Sequence, residues 1–223
     1  MAKYKRYEVV AMAHEQGLVP LYYNEQLSVC KQVLKACYDG GACLFEFTNR
    51  GDFAHELFSE LNKYAYAELS GMMLGVGSVI DAPTAALYIQ LGAHFVVSPL
   101  LNAEMAKVCN RRKIAWIPGC ATLSEINYAE ELGADIVKIF PGATIGGATF
   151  VKSIKAPCSW SSIMPSGGVS TNEDNLKEWF DAGVACVGMG SNLITNEDVK
   201  IANYEAISLR VTNVLTTIQN LKK

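Results

Sequence analysis

The chain has no C-x-x-C pair, and its seven cysteines, Cys30, Cys37, Cys43, Cys109, Cys120, Cys158 and Cys186, are scattered. That pattern fits no disulfide framework and reads as reduced thiols of a cytoplasmic protein, each acting as a small apolar residue. Histidine is scarcer: His14, His55 and His94 lie far apart, none three or four residues from a cysteine or another histidine. No metal site is therefore expected. His55 is expected on an exposed helix face and His94 at the start of a strand. No apolar run approaches the length of a membrane span, and Met1 to Glu15 lacks the apolar centre and small-residue cleavage site of a secretory signal. An excess of charge of one sign is missing too. At a net charge of −3, with acids and bases interspersed, the chain offers no electrostatic footprint for nucleic acid or an anionic membrane. A small molecule is the expected partner.

What is present is a repeated α/β pattern. Half of the 223 residues are hydrophobic, enough for one sizeable core. No Pro/Ser-rich linker divides residues 1–223, so a single domain is expected. Short apolar runs alternate with longer polar-faced segments. The strand-like runs are Leu18 to Tyr23, Ala42 to Thr48, Met72 to Ser78, His94 to Ser98, Ile114 to Ile117, Asp135 to Phe140, Ser162 to Pro165 and Ala185 to Met189. Eight is the strand number of a TIM-type (β/α)8 barrel. Extra helices are expected around Tyr4 to His14 and from Glu197 to Leu221.

Helix starts fall between the strands. Asn24 can cap the helix containing Leu27, Asp81 precedes Pro83, Thr122-Leu123-Ser124-Glu125 is a capping box, and Thr171-Asn172-Glu173-Asp174 is a near variant. Helix stops recur as glycine just before the next strand: Gly41-Ala42, Gly92-Ala93, Gly133-Ala134 and Gly183-Val184. The rival doubly wound sheet would carry G-x-G-x-x-G after its first strand, and none follows Tyr23.

Chemistry concentrates in two strands. In Asp135-Ile136-Val137-Lys138-Ile139-Phe140 the side chains alternate, so Lys138 shares a face with Ile136 and Phe140 while Val137 and Ile139 face the other way. If the β-branched pair packs under helices, Lys138 points inward. Desolvation there disfavours an ammonium and yields the neutral amine that attacks a ketone. The run alone equally permits a lysine that snorkels to solvent beside Asp135. A second run decides between them: in Leu44-Phe45-Glu46-Phe47-Thr48, Glu46 shares the inward face between two outward phenylalanines. A carboxylate and an amine at one rim offset part of each other's burial cost, as an active-site pair or as a purely structural ion pair. Arg50, just beyond, could grip a substrate carboxylate in a bidentate fork, although a lone arginine there also suits a plain surface.

Two glycine-bearing runs, Pro165-Ser166-Gly167-Gly168-Val169 and Val187-Gly188-Met189-Gly190-Ser191, follow the seventh and eighth strands. Those loops are the customary phosphate site of such barrels.

In these residues the chain resembles the KDPG/KHG aldolase family, from about Leu18 to Leu193. The resemblance is carried by Phe45 to Arg50, Gly75-Val76-Gly77-Ser78, Gly92 to Pro99, Trp116-Ile117-Pro118-Gly119, Val137 to Pro141 and Pro165 to Val169. It implies a homotrimeric barrel, without metal or cofactor, in which Lys138 forms a Schiff base with a 2-oxo acid and Glu46 shuttles protons. Arg50 and Ser78 would hold the carboxylate of pyruvate, and Pro99 and Phe140 would pack against the reacting end. Ser166, Gly167, Gly168, Gly190 and Ser191 would bind a distal phosphate. The implied reaction cleaves 2-keto-3-deoxy-6-phosphogluconate to pyruvate and glyceraldehyde 3-phosphate, with 4-hydroxy-2-oxoglutarate as a second substrate.

Some positions depart from the family pattern. Ser78 stands where many relatives carry threonine, and Tyr22-Tyr23-Asn24 lacks the basic residue that some place near the distal end of the substrate. The aldehyde half thus stays open, the galactonate epimer included. The sequence also leaves room for a phosphate-binding isomerase or synthase without covalent catalysis, and for a noncatalytic ligand sensor.

Overall fold

A computed structural model describes residues 2–222. The strands are β1 (Leu18–Tyr22), β2 (Leu44–Thr48), β3 (Met73–Gly77), β4 (Phe95–Val97), β5 (Ala115–Ile117), β6 (Gly119–Cys120), β7 (Val137–Ile139), β8 (Ile163–Pro165) and β9 (Val187–Met189). All pair in parallel, in a curled six-stranded sheet ordered β5-β4-β3-β2-β1-β9 and a three-stranded sheet ordered β6-β7-β8. The fifth expected run, Ile114 to Ile117, is β5, and a further short strand, β6, follows it. Pro118 separates them, and its carbonyl accepts from Lys138 N–H at 2.8 Å. A proline has no N–H to give the ladder, so the strand breaks there.

Helices α1 (Arg6–Gln16), α2 (Leu27–Asp39), α3 (Ala54–Glu68), α4 (Ala82–Gln90), α5 (Ala103–Arg112), α6 (Leu123–Glu131), α7 (Gly147–Lys155), α8 (Glu173–Asp181), α9 (Asn196–Lys200) and α10 (Tyr204–Leu221) connect and flank the strands. Alternation along each strand sorts the core in two. Outward residues such as Phe45, Phe47, Val137 and Ile139 pack with the helices. Inward residues such as Leu44, Met73, Phe95, Ala115 and Ile136 form a second cluster with Val9 and Ala13 of α1. Those inward residues begin their strands, so α1 covers the end of the sheets where the strands start.

Local signals hold in most places. Gly41, Gly92, Gly133 and Gly183 all adopt positive φ at helix ends. Asp81 caps α4 through Thr84 N–H at 2.8 Å, and Thr122 and Glu125 form the capping box of α6. Three starts differ. Asn24 accepts from Gln26 N–H in an Asx turn before α2, and the cap position of α2 falls to Gln26. Asn172, one residue past Thr171, caps α8. The expected long C-terminal helix is two helices, split where Ala202 takes φ 55° and Asn203 caps the second. His55 lies in α3 half-buried rather than exposed, while His94 is buried just ahead of β4 as expected. No helix among the described residues is long and apolar enough to cross a membrane.

Candidate active site

The opposite end, where the strands finish, opens into a cavity of about 420 Å³. Its floor is the inner face of β2 and β7. Because side chains alternate there as the sequence requires, Glu46 and Lys138 both point inward, 1% and 6% exposed. Phe140 continues the Lys138 face at the rim, 39% exposed, with the Lys138 Nζ 5.1 Å from its ring centroid.

Glu46 can sit in the floor only because β3 makes room. A Cβ added to Gly77 would collide with the Glu46 Oε1. Gly75, paired with Glu46 across the ladder, leaves space in the same way for the ring of Phe95. The Glu46 Oε2 has no hydrogen-bond partner among the described residues. Burial raises its carboxyl above the ordinary value, and the positive charges of Lys138 and Arg50 oppose the shift only in part. The purely structural ion pair that the sequence left open is not formed: no salt bridge among the described residues joins Glu46 to Lys138. The two groups feel each other electrostatically while both remain open to a ligand between them.

The walls come from the strand-end loops. Arg50 is exposed at the rim, next to Asn49, whose N–H donates to Gly77 O at 2.8 Å and whose Oδ1 accepts from the Tyr88 hydroxyl at 2.7 Å. These bonds fix the start of the loop that carries Arg50. Ser78, just past β3, lies in the left-handed region, φ 58°, which costs a non-glycine residue about 1–3 kcal/mol. Pro99 follows the buried Ser98, whose hydroxyl donates to Leu100 O at 2.7 Å.

Both glycine loops reach the same cavity. Ser166, Gly167 and Gly168 follow β8, with Gly167 and Gly168 at positive φ. Gly190 and Ser191 follow β9, and the Asn192 side chain donates to Val169 O at 2.7 Å, tying one loop to the other. Every site residue singled out in the sequence therefore lines one cavity. Sequence reasoning did not give Gly77 its role, nor place Asn192 and Asn196 in the wall. The period-two alignment of Gly75 and Gly77 opposite Glu46 was the signal for the first.

Chemically, the cavity holds one buried amine, one carboxyl biased toward its protonated form, one guanidinium and a wall rich in hydroxyl and backbone groups. A larger cavity of about 800 Å³ lies under the N-terminal segment, but its Arg6 and Asp135 are bound to each other, leaving no free acid and base pair.

Comparison with known proteins agrees with this geometry. The family profile described as KDPG and KHG aldolase matches residues 9–210. A KHG/KDPG aldolase of Escherichia coli (strain K12) is 28% identical over 192 residues, covering 86% of this chain and 87% of its own. A 2-dehydro-3-deoxy-phosphogluconate aldolase of Treponema pallidum (strain Nichols) is 26% identical over 191 residues, 86% of this chain and 88% of its own. Among solved structures, a Legionella pneumophila KDPG aldolase holding pyruvate as a covalent carbinolamine superposes with a TM-score of 0.83 at 25% identity, over 92% of this chain and 97% of that one.

Proposed function

Because the chain belongs to the KDPG and KHG aldolase family and is a carbon–carbon lyase of the class I kind, we propose that it cleaves 2-keto-3-deoxy-6-phosphogluconate to pyruvate and glyceraldehyde 3-phosphate through a Schiff base on Lys138. The observation that carries this assignment is the joint burial of Lys138 and Glu46 in one cavity, with no bond between them to occupy either.

The Lys138 Nζ attacks the C2 carbonyl to give a carbinolamine, and Glu46 donates the proton with which the hydroxyl leaves as water. In the protonated imine that results, the nitrogen draws the electron pair of the C3–C4 bond as Glu46 takes the proton of the C4 hydroxyl. The aldehyde departs and an enamine remains. Glu46 returns its proton to C3, and water releases pyruvate from the lysine. A carboxyl whose proton affinity is raised by burial suits a group that must both give and take that proton.

Arg50 and Ser78 hold the carboxylate of the 2-oxo acid, and Pro99 and Phe140 keep the reacting carbons dry. Ser166, Gly167, Gly168, Gly190 and Ser191 receive the distal phosphate. 4-Hydroxy-2-oxoglutarate, cleaved to pyruvate and glyoxylate, is the second substrate, in keeping with the double name of the Escherichia coli relative.

The same reading extends to the architecture: one domain, closed as a (β/α)8 barrel, in a cytoplasmic homotrimer. Closure is supported at both seams. Lys138 N–H of β7 bonds Pro118 O, between β5 and β6, at 2.8 Å, and Ala185 N–H bonds Ile163 O at 2.9 Å, next to a bridge between Ser166 and Gly188. Such an assembly would cover exposed Leu100 and Tyr128, which share a groove with Pro99 and Phe140, and its mass by light scattering tests it.

Replacing Lys138 with arginine tests the chemistry. Arginine keeps the charge but stays protonated and cannot condense. The cleavage rate should fall at least about a thousandfold with the fold intact by circular dichroism; near-normal cleavage would refute the assignment.

A further inference from the structure

We propose that Arg210, which lies outside the cavity, is a positioning residue that fixes the wall facing the distal end of the substrate and so sets the preference for a phosphorylated tail. The inference rests on the aldolase reading above.

The wall in question is a single tight turn. Leu193 N–H and Ile194 N–H both bond Gly190 O, at 2.8 and 2.9 Å. The N–H groups of Ser191 and Asn192, inside that turn, have no partner among the described residues, and both residues line the cavity. Two unbound backbone donors on one turn form a receptor for an anion only while the turn keeps its shape.

Arg210 holds the turn from behind. One guanidinium nitrogen donates to Leu193 O at 2.7 Å and another to Asp198 Oδ2 at 2.8 Å. The same carboxylate oxygen accepts from the Thr195 hydroxyl at 2.5 Å, and Thr195 in turn caps α9 through Asp198 N–H at 3.1 Å. Asp198 is 9% exposed, and its hydrogen bonds to Thr195 and Arg210 hold its carboxyl below the ordinary range. Arg210 is anchored on α10, whose neighbouring Ile207 and Val211 are fully buried. Helix α10 thereby bonds the turn at Leu193 and the start of α9 at Asp198, while the Asn192 side chain ties the turn to Val169 O on the other side.

Guanidinium geometry suits both jobs. Planar, forked guanidinium reaches a carbonyl and a carboxylate at once, whereas an ammonium is a single point donor group on a flexible stem. A merely structural bridge would lower stability and leave substrate preference alone. A positioning role moves the preference itself, and leaves condensation of pyruvate with Lys138 untouched because pyruvate has no distal end.

The test compares 2-keto-3-deoxy-6-phosphogluconate with its unphosphorylated counterpart on wild type, Arg210→Met and Arg210→Lys. In Arg210→Met the KM for the phosphorylated substrate should rise about tenfold, the loss of one charge-assisted contact. Its kcat, and the kcat/KM of the unphosphorylated substrate, should stay within about twofold of wild type. Arg210→Lys should recover part of the KM. An equal change for both substrates, or a fall in Tm with no change in their ratio, would overturn the proposal; if Arg210→Met does not fold, Arg210→Lys must still show the split, and an unchanged ratio there overturns it as well. Borohydride trapping of pyruvate on wild type keeps the two questions apart: no adduct on Lys138 defeats the aldolase reading, whereas an adduct with an unmoved ratio defeats only the role of Arg210.

Discussion

The two ends of the strand assembly are built on opposite principles. Where the strands begin, α1 covers the inner cluster and polar groups are bound to one another. Arg6 bonds Asp135, Gly133 O and, at 2.7 Å, Asn110 Oδ1, and the Tyr4 hydroxyl accepts from Gly71 N–H at 3.1 Å. Where the strands end, a carboxylate oxygen of Glu46 is left without a partner, Ser78 holds a strained backbone, and glycines clear space. One end lowers the free energy of the fold; the other keeps groups unsatisfied so that a ligand can satisfy them.

The sharpest way to probe that contrast is Glu46→Gln. The amide keeps the shape but cannot exchange a proton, so cleavage should fall about a hundred- to a thousandfold in kcat. Stability should move the other way. The folded-state proton affinity of Glu46 is raised, so its contribution is fully present at acid pH and is lost as pH rises through the raised value. Wild type should therefore lose stability relative to Glu46→Gln between the ordinary carboxylate range and neutrality. Thermal unfolding across that pH range checks the sign, and a wild type that gains on the variant as pH rises would contradict it.

Gly77→Ala should damage the same end by volume alone. The new methyl occupies the place of the Glu46 carboxylate, and the expected outcome is about a tenfold loss of kcat with about 1–3 kcal/mol of stability. At the other end, Arg6→Met should cost about 1–2 kcal/mol, moderated by the partial exposure of the pair, and leave steady-state kinetics unchanged. If Arg6→Met altered KM, the division of labour between the ends would be wrong. The smallest effect belongs to Thr122→Ala, which removes the cap of α6 and should cost about 1 kcal/mol, read as a Tm lower by about 2–4 °C.

Legibility in the sequence followed the range of each interaction. The glycine stops at Gly92 and Gly133 and the Thr122 capping box depend on neighbours a few residues away and were readable, whereas the inward turn of Lys138 was readable only once the Glu46 run was set beside its own. The short strand β6 beyond Pro118 was concealed, because two residues carry no periodicity. The interruption at Ala202 was equally hidden, because a non-glycine residue at positive φ leaves no local mark. The role of Gly77 depends on Glu46 in the neighbouring strand, and that of Arg210 on residues 12 and 17 positions earlier. No periodicity within one segment encodes such meetings. The resemblance to the aldolase family supplied the grouping of the strand-end residues, which local pattern alone left as separate loops.

The central claim is that one buried lysine condenses with a ketone. The direct measurement is incubation with pyruvate and borohydride followed by peptide mass spectrometry. A reduced three-carbon adduct confined to the peptide bearing Lys138 is the expected result; a folded protein with no adduct, or with the adduct on another lysine, would contradict the account.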